Sequence, residues 1–479
     1  MPVALVFGSD AIPAGQLVTR RVHGKEQVSG LFELAAYVQP ATDGDLLEDG
    51  AADLFAKPCW VALDGGDVLV RGMVRDVQLE DVTPPDPPFY RITIVPRVWR
   101  ATMTRRCRIF QDLSVPDIVR SVLEALGFTP TDSDFRLGGA YAKRDYVVQY
   151  EESDYDFFCR LCEDEGIFFW FDHEGDVDRI VFADANSSSR ADTDHQSVAF
   201  QTGVTTHQTI SELTRTVQCV QGSVQLLDYN WRTPKIALDA TAKVDQGLTG
   251  TLIDTRTPYR DMTAGNRLAK IRAQEIAATR AVYRGASDVV TLRPGDQMGV
   301  TGFPVASLDQ AYFVTHVAYD FERQGKHGTT AGATYGNTFT AIPLAVPFRA
   351  PRVAPRPVVT GFVYATIDGP NTGAAAPIDD AGRYKVILPF DTTLQGTGTA
   401  TRWIRMMQPL AGASYGVHFP LRVGTEVALT HVNGDPDRPV IAGAIPNALT
   451  PSPVSKANST QSVMQTHTGV RIEIEENAT

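Results

Sequence analysis

The chain has 479 residues, of which 43% are hydrophobic and 21% charged, and its formal net charge is −12. That length exceeds a single hydrophobic core and predicts roughly two to four domains, each with apolar content enough to bury a core of its own. An acidic balance argues against a general nucleic-acid binder, whose affinity comes from Lys and Arg neutralising phosphates. No run approaches the ~20 apolar residues of a membrane-spanning helix, and the start lacks the basic leader and cleavage site of a signal peptide. A chain made and folded in the cytoplasm is expected, with its five scattered cysteines reduced rather than paired in a disulfide framework.

From Leu17 to about Ile342 the pattern is mainly β. Runs rich in β-branched and aromatic residues predict strands at 31–39, 59–63, 68–78, 90–98, 167–171 and 179–182. The proline cluster at 83–88 cannot donate to a sheet and predicts a loop between two of these strands. Three helices are expected. The first is capped by Ser114, repeats Val115, Ile118, Val119, Val122, Leu123 and Leu126, and stops at Gly127. The second starts at Ser153 with Asp154 and Asp156 at its positive end, carries Phe157, Phe158, Leu161 and Cys162, and closes at Gly166. The third covers about 262–281, with Ala269, Ala273, Ile276 and Arg280 at helical spacing.

Pro343, Pro347, Pro351, Pro355 and Pro357 then enforce an extended segment, which predicts a domain boundary with a linker at 346–357 after a body at 1–345. Five strand-like runs follow at 358–367, 383–390, 402–408, 425–432 and 440–445, a number and spacing suited to a small closed barrel of the OB type over 358–450. Asn433-Gly434 reads as a hairpin turn, because both residues tolerate positive φ. After a second Pro/Ser linker, residues 451–479 end in a strand in which Val470, Ile472 and Ile474 alternate with Arg471, Glu473 and Glu475. One lone strand is not stable, so this one needs partners.

The stretch from Tyr150 through Glu152, Ser153, Asp154, Phe158, Arg160, Leu161, Glu163, Glu165 and Gly166 to Ile167 closely resembles the signature of the VgrG family, the spike proteins of type VI secretion. Tyr259-Arg260-Asp261, Leu292-Arg293-Pro294-Gly295, Asn433-Gly434-Asp435-Pro436-Asp437-Arg438-Pro439-Val440 and Asn458-Ser459-Thr460-Gln461-Ser462 match the family in the same order. The resemblance implies a mainly β protein with α+β insertions: tail-hub-like β-barrel domains, then a five-stranded OB barrel, then the first strand of a trimeric β-helical needle. It also implies a homotrimer that contacts the tube protein, baseplate components, a PAAR-type tip protein with its effectors, and transiently a target membrane. The Pro/Ser linker leaves no room for the lysozyme domain of some phage relatives, and the chain stops as the first needle strand begins. Three copies of that strand, closing around an axis, would bury Val470, Ile472 and Ile474.

The residues themselves offer competing readings. Cys159-x-x-Cys162 has redox or zinc spacing, but no second pair accompanies it, and His173 and His195 lack ligand spacing, so a buried structural role is expected. The acidic residues Glu151, Glu152, Asp154, Asp156, Glu163, Asp164 and Glu165 could serve a carboxylate hydrolase or hold calcium. Without a mid-loop glycine the expectation is helix-end charge and a solvated face. His316 and His431 read as hydrogen-bonded strand residues. Trp403 and Tyr415 could stack bases on an OB barrel, although the acidic chain speaks against nucleic acid. No nucleophile elbow, His-Glu-x-x-His or phosphate loop is present, so neither an enzyme, a metal nor a cofactor is expected. The reading is a structural spike and hub of a contractile injection machine, with a phage tail or extracellular phage-tail-like particle as the close alternative and a cell-wall hydrolase as the distant one.

Overall fold

The computed structural model describes residues 5–13, 15–41, 54–63, 66–81, 88–188, 190, 197–203, 207–323, 333–391 and 398–476. Residues 83–87 of the proline loop and His195 lie outside them. In chain order the first strands are β1 (Leu5–Ser9), β2 (Leu17–Gln27), β3 (Glu33–Pro40), β4 (Pro58–Leu63), β5 (Val68–Asp81), β6 (Phe89–Val95) and β7 (Arg105–Phe110). After helix α1 (Val115–Ala125) come β8 (Ser133–Arg136), β9 (Val147–Ser153), helix α2 (Asp154–Glu165), β10 (Phe168–Asp172), β11 (Arg179–Ala183), β12 (Val198–Ala199), β13 (Ile210–Val217), β14 (Gln221–Asp228), β15 (Leu238–Lys243) and β16 (Thr249–Asp254). Helix α3 (Met262–Arg280) leads to β17 (Ala281–Ser287), β18 (Gln297–Thr301), β19 (Ala311–Arg323) and β20 (Ala333–Pro343). The remainder holds β21 (Val363–Ile367), β22 (Val386–Ile387), β23 (Ala411–Gly412), β24 (Tyr415–Gly416), β25 (Glu426–His431), β26 (Pro439–Ala444), β27 (Gln461–Gln465) and β28 (Arg471–Glu475).

Two compact units emerge. The first comprises Met1–Thr104, Val115–Ala142 and Ser153–Pro355; the second comprises Arg105–Ser114, Lys143–Glu152 and Arg356–Thr479. The second unit therefore includes two segments taken from the half of the chain that reads as one continuous body.

Among the described residues of the first unit, one sheet runs β1-β4-β5-β6-β3-β2-β19-β20-β17-β13, with β18 on β19 and β12 on β18. The expected strands appear, with one shortened. The run at 90–98 stops at Val95 because Pro96 cannot continue the ladder, and a 3₁₀ turn, Arg97–Thr102, follows it. A second sheet, β10-β11-β8, carries the aromatic strand, and its Phe168 and Trp170 pack with Phe313 and Ile342. A third sheet, β15-β14-β16, is covered by α3, whose Leu268, Ala269, Ile271 and Ala273 meet Val224, Leu226, Leu238 and Ala240.

In the second unit β22-β21-β25-β26 form a four-stranded sheet. The run expected as a strand at 402–408 is not a regular strand. Its backbone exchanges hydrogen bonds with Tyr384 on one side (Ile404 N to Tyr384 O, 2.7 Å; Tyr384 N to Ile404 O, 3.0 Å). On the other side it meets Ile441 (Ile441 N to Arg405 O, 2.9 Å; Met407 N to Ile441 O, 2.8 Å). A segment that crosses between two edges within a few residues bonds only briefly to each, but it closes the ring. The order 384–387, β21, β25, β26, 404–407 and back is that of a five-stranded OB barrel. Ala365, Ile367, Tyr384, Val386, Ile404, Val427, Leu429 and Ile441 fill its interior. Between β25 and β26, Asn433 (φ 55°) and Gly434 (φ 71°) make the expected turn with both residues at positive φ. Separately, β7 pairs with β9 and β27 with β28.

Leu429 is fully buried in the barrel, so Leu429→Ala should destabilise it by about 2–5 kcal/mol. Hydrogen exchange of the β21, β25 and β26 amides checks this: protection there falls while that of β2 and β19 holds, and unchanged protection in the barrel would refute the assignment of its core.

Candidate functional site

Helix α2 carries most of the signature. It begins where β9 ends. Asp156 N–H donates to Ser153 Oγ at 2.9 Å while that hydroxyl donates to Asp156 Oδ2 at 2.7 Å, a reciprocal cap that satisfies one orphan donor. Asp154 N–H reaches Thr104 O at 3.1 Å. Phe158 and Leu161 are fully buried, with Phe158 edge-on to Phe169 and Phe182, and Arg160 lies over the Phe157 ring at 5.0 Å. The helix stops at Gly166, φ 72°, and Ile167 N–H returns to Cys162 O at 2.9 Å. A Cβ at position 166 would fall 2.7 Å from Ile271 Cγ2, so glycine is required there by both φ and space. Tyr150 and Glu152 precede this helix on β9 and belong to the second unit.

The acidic cluster does not form the solvated face expected of it. Asp154, Glu163, Asp164 and Glu165 are all buried. The fully buried guanidinium of Arg272 donates to the Glu163 carbonyl and, at 2.6 Å, to Glu275 Oε2. Arg267 pairs with Glu165. The proline-rich segment supplies the rest, because within the first unit it is a docked strap and not a free tether. Asn186 Nδ2 donates to Leu344 O and Val346 O at 3.0 and 2.7 Å, and its Oδ1 accepts from Phe348 N–H at 2.9 Å. Arg349 donates to Gly166 O and Asp184 O at 3.0 and 2.6 Å. Arg352 pairs with Asp254 at 2.7 Å, and Ala354 N–H donates to the Glu163 carboxylate, 3.1 Å from each oxygen. Proline removes a donor at every fourth position, 343, 347, 351 and 355, and the N–H groups of Phe348, Arg352 and Ala354 between them are accepted by this surface.

Burial pushes the Glu163 carboxyl up to about 7, with Asp164 and Glu275 adding like charge against the N–H groups of Val353 and Ala354. Cys159 and Cys162 are buried free thiols, and burial drives both above the ordinary thiol range, which disfavours a reactive thiolate near neutral pH. Among the described residues no group of three His, Cys, Asp or Glu is placed to hold a metal. His316 shares a hydrogen bond with Thr315 Oγ1 at 3.0 Å. His431 is held down at about 4 by burial, and its Nδ1 makes no hydrogen bond among the described residues.

The C-terminal strand has a partner within the chain that the sequence pattern did not disclose. β27 pairs antiparallel with β28, Ser462 opposite Ile474 and Met464 opposite Ile472. Two-residue alternation puts these side chains on one face and Gln461, Val463, Gln465, Arg471, Glu473 and Glu475 on the other. The polar face is bonded internally, Gln461 Nε2 to Glu473 Oε1 at 2.7 Å and Arg471 to Glu473 at 2.7 Å. The apolar face is bare: Met464 is 49% exposed, Ile472 57%, Ile474 61% and the adjoining Val470 64%. The residues that sequence reasoning missed are Arg272, Asn186, Arg349 and Arg352. A charged side chain at 272, on the stripe set by Ala269, Ala273 and Ile276, was the one available signal.

Comparison with known proteins places these features. Residues 25–325 match the phage tail baseplate hub (GPD) family and residues 375–445 the type VI secretion system/phage-baseplate injector OB domain. The spike proteins VgrG1b and VgrG1a of Pseudomonas aeruginosa are each 30% identical to the chain, over 474 and 465 residues, 96% and 94% of it. The chain spans 63% and 70% of their own lengths, under two thirds of the first. The fold also superposes on the E. coli c3393 protein, described as a type VI secretion component with structural similarity to the T4 tail proteins gp27 and gp5, at a TM-score of 0.68 and 22% identity, covering 92% of this chain and 100% of that one.

A carboxyl held above its unfolded value binds its proton more tightly in the folded state. That stability is complete below the unfolded value of 4.5 and is lost as pH rises through about 7, a difference of roughly 3 kcal/mol for a displacement of this size. Glu163→Gln should flatten the fall of melting temperature between pH 5 and 8 and leave the variant at least as stable as the parent at pH 8. Parallel melting-temperature curves for the two proteins would contradict it.

Proposed function

The chain belongs to the VgrG family of type VI secretion spike proteins, which share the phage tail baseplate hub, and on that premise we propose that it is the hub and neck of a homotrimeric spike in a contractile injection machine. The observation that supports this most directly is the C-terminal hairpin. Its polar face is satisfied internally and its apolar face, Met464, Val470, Ile472 and Ile474, is exposed. Each such side chain contributes about 1.5–3 kcal/mol when fully buried. Copies of the same hairpin closing around an axis would cover that face and shield the open strand edges; that there are three is the family's symmetry. In this reading the first unit caps the tube and meets baseplate components, the barrel is the neck, and the hairpin begins the needle toward a PAAR-type tip, its effectors and a target membrane. The protein would assemble in the cytoplasm and be expelled on contraction. No described helix is long and apolar enough to cross a membrane. A phage tail would use the same parts. The carboxylate-hydrolase reading loses its residues, since Glu163 is occupied by the strap and Glu165 by Arg267.

Native mass spectrometry of the intact chain at micromolar concentration should give a trimer, and Ile472→Glu combined with Ile474→Glu a monomer whose far-ultraviolet circular dichroism is unchanged. A parent chain that runs as a monomer, or a double variant that remains trimeric, would overturn the role given to the hairpin.

A further inference from the structure

The second unit contains two segments, Arg105–Ser114 and Lys143–Glu152, that precede the barrel by more than two hundred residues of chain. Two paired strands are not stable alone in water, and here Tyr146, Val147, Val148 and Gln149 are buried. Their cover within the unit is specific. Ile109 packs against the barrel core. Val148 N–H donates to Asp437 Oδ1 at 2.6 Å. Asp437 is held ready for this: its own N–H donates to Asp435 Oδ1 at 2.9 Å, and its carbonyl accepts from Arg402 Nη2 at 2.9 Å. Arg402 in turn lies over the Tyr146 ring at 5.3 Å. Gln111 Nε2 donates to Thr399 O and Ala400 O at 3.2 and 3.4 Å, and Tyr150 meets Phe390 edge-on at 6.1 Å. On the other side of the division, Thr104 O accepts from Asp154 N–H, so the points where the chain leaves the first unit at β7 and re-enters it after β9 are bonded together.

We infer that the barrel is a composite unit, with the β7–β9 pair as an integral part clamped by Asp437, so that the chain threads between body and barrel after residues 104, 114, 142, 152 and 355. Asp437 is thus a positioning residue, and the Asn433–Val440 stretch does more than turn a hairpin. A barrel driven forward stays joined to its body by several covalent passages and not by the strap alone. The inference does not depend on the number of copies in the assembly.

Hydrogen exchange on the full chain tests it. The amides of β7 and β9 should exchange with those of β21, β25 and β26 as one cooperative unit. Asp437→Ala, which removes a charged acceptor, should raise exchange in both sets by roughly tenfold or more, with β2 and β19 unchanged. Gln111→Ala, a milder change that leaves Asp437 intact, should raise the same two sets by less. The inference is overturned if β7 and β9 exchange at the rates of β2 and β19, or if both variants affect the barrel without affecting β7 and β9.

Discussion

Helix α2 ends inside the protein, and the orphan carbonyls at its C-terminus have to be met without water. Arg272 and Arg349 do this, the first at Glu163 O and the second at Gly166 O. A buried cation needs its own compensation, and the surrounding carboxylates supply it: Glu275 takes Arg272, Glu165 takes Arg267 and Asp254 takes Arg352. The strap then covers what is left, through the N–H groups that proline did not remove. Of the signature's acids, Glu165 shares in this compensation through Arg267, while the Glu163 carboxylate accepts from the strap's Ala354 N–H. Their proximity, which on sequence could suggest a catalytic pair, follows from that constraint. Loss of Glu275 would leave the fully buried Arg272 guanidinium uncompensated, an effect on the order of 3–5 kcal/mol.

The barrel solves a different problem with less chain. In its mainly apolar interior the Tyr384 hydroxyl lies 3.0 Å from His418 Nε2 and accepts from Leu421 N–H at 3.1 Å. Closure rests on a short crossing segment with Ile404 pointing inward, fully buried. Closure removes sheet edges that would otherwise be open to pairing.

Elements whose signal is local were legible in the sequence. Ser153 and Gly166 mark the ends of α2, Asn433-Gly434 marks a turn, and the prolines after Pro343 mark an extended segment; each of these is set by backbone conformation alone. What sequence could not disclose depends on pairing across the chain. The proline segment reads as a linker because its partners, Asn186, Glu163 and Asp254, are distant in sequence. The segment at 402–408 reads as a strand because its inward alternation is real, while its brief bonding on each side is a property of the closed ring. The C-terminal strand reads as solitary because Gln461–Gln465 carries little apolar alternation of its own. The buried state of the acidic cluster was hidden for the same reason: burial of a carboxylate is decided by the arginine opposite, and Arg272 lies more than one hundred residues away.

The interleaving of the two units bears on how such proteins can diversify. A barrel exchanged between relatives at residue 356 would arrive without the strands that complete it and would leave behind a β7–β9 pair fitted to another Asp437. Recombination that preserves function must carry 105–114 and 143–152 along with the barrel, or cut beyond it, in the second Pro/Ser linker near Pro451 and Pro453. The segment after that linker can be exchanged without cutting through either unit's interleaved segments.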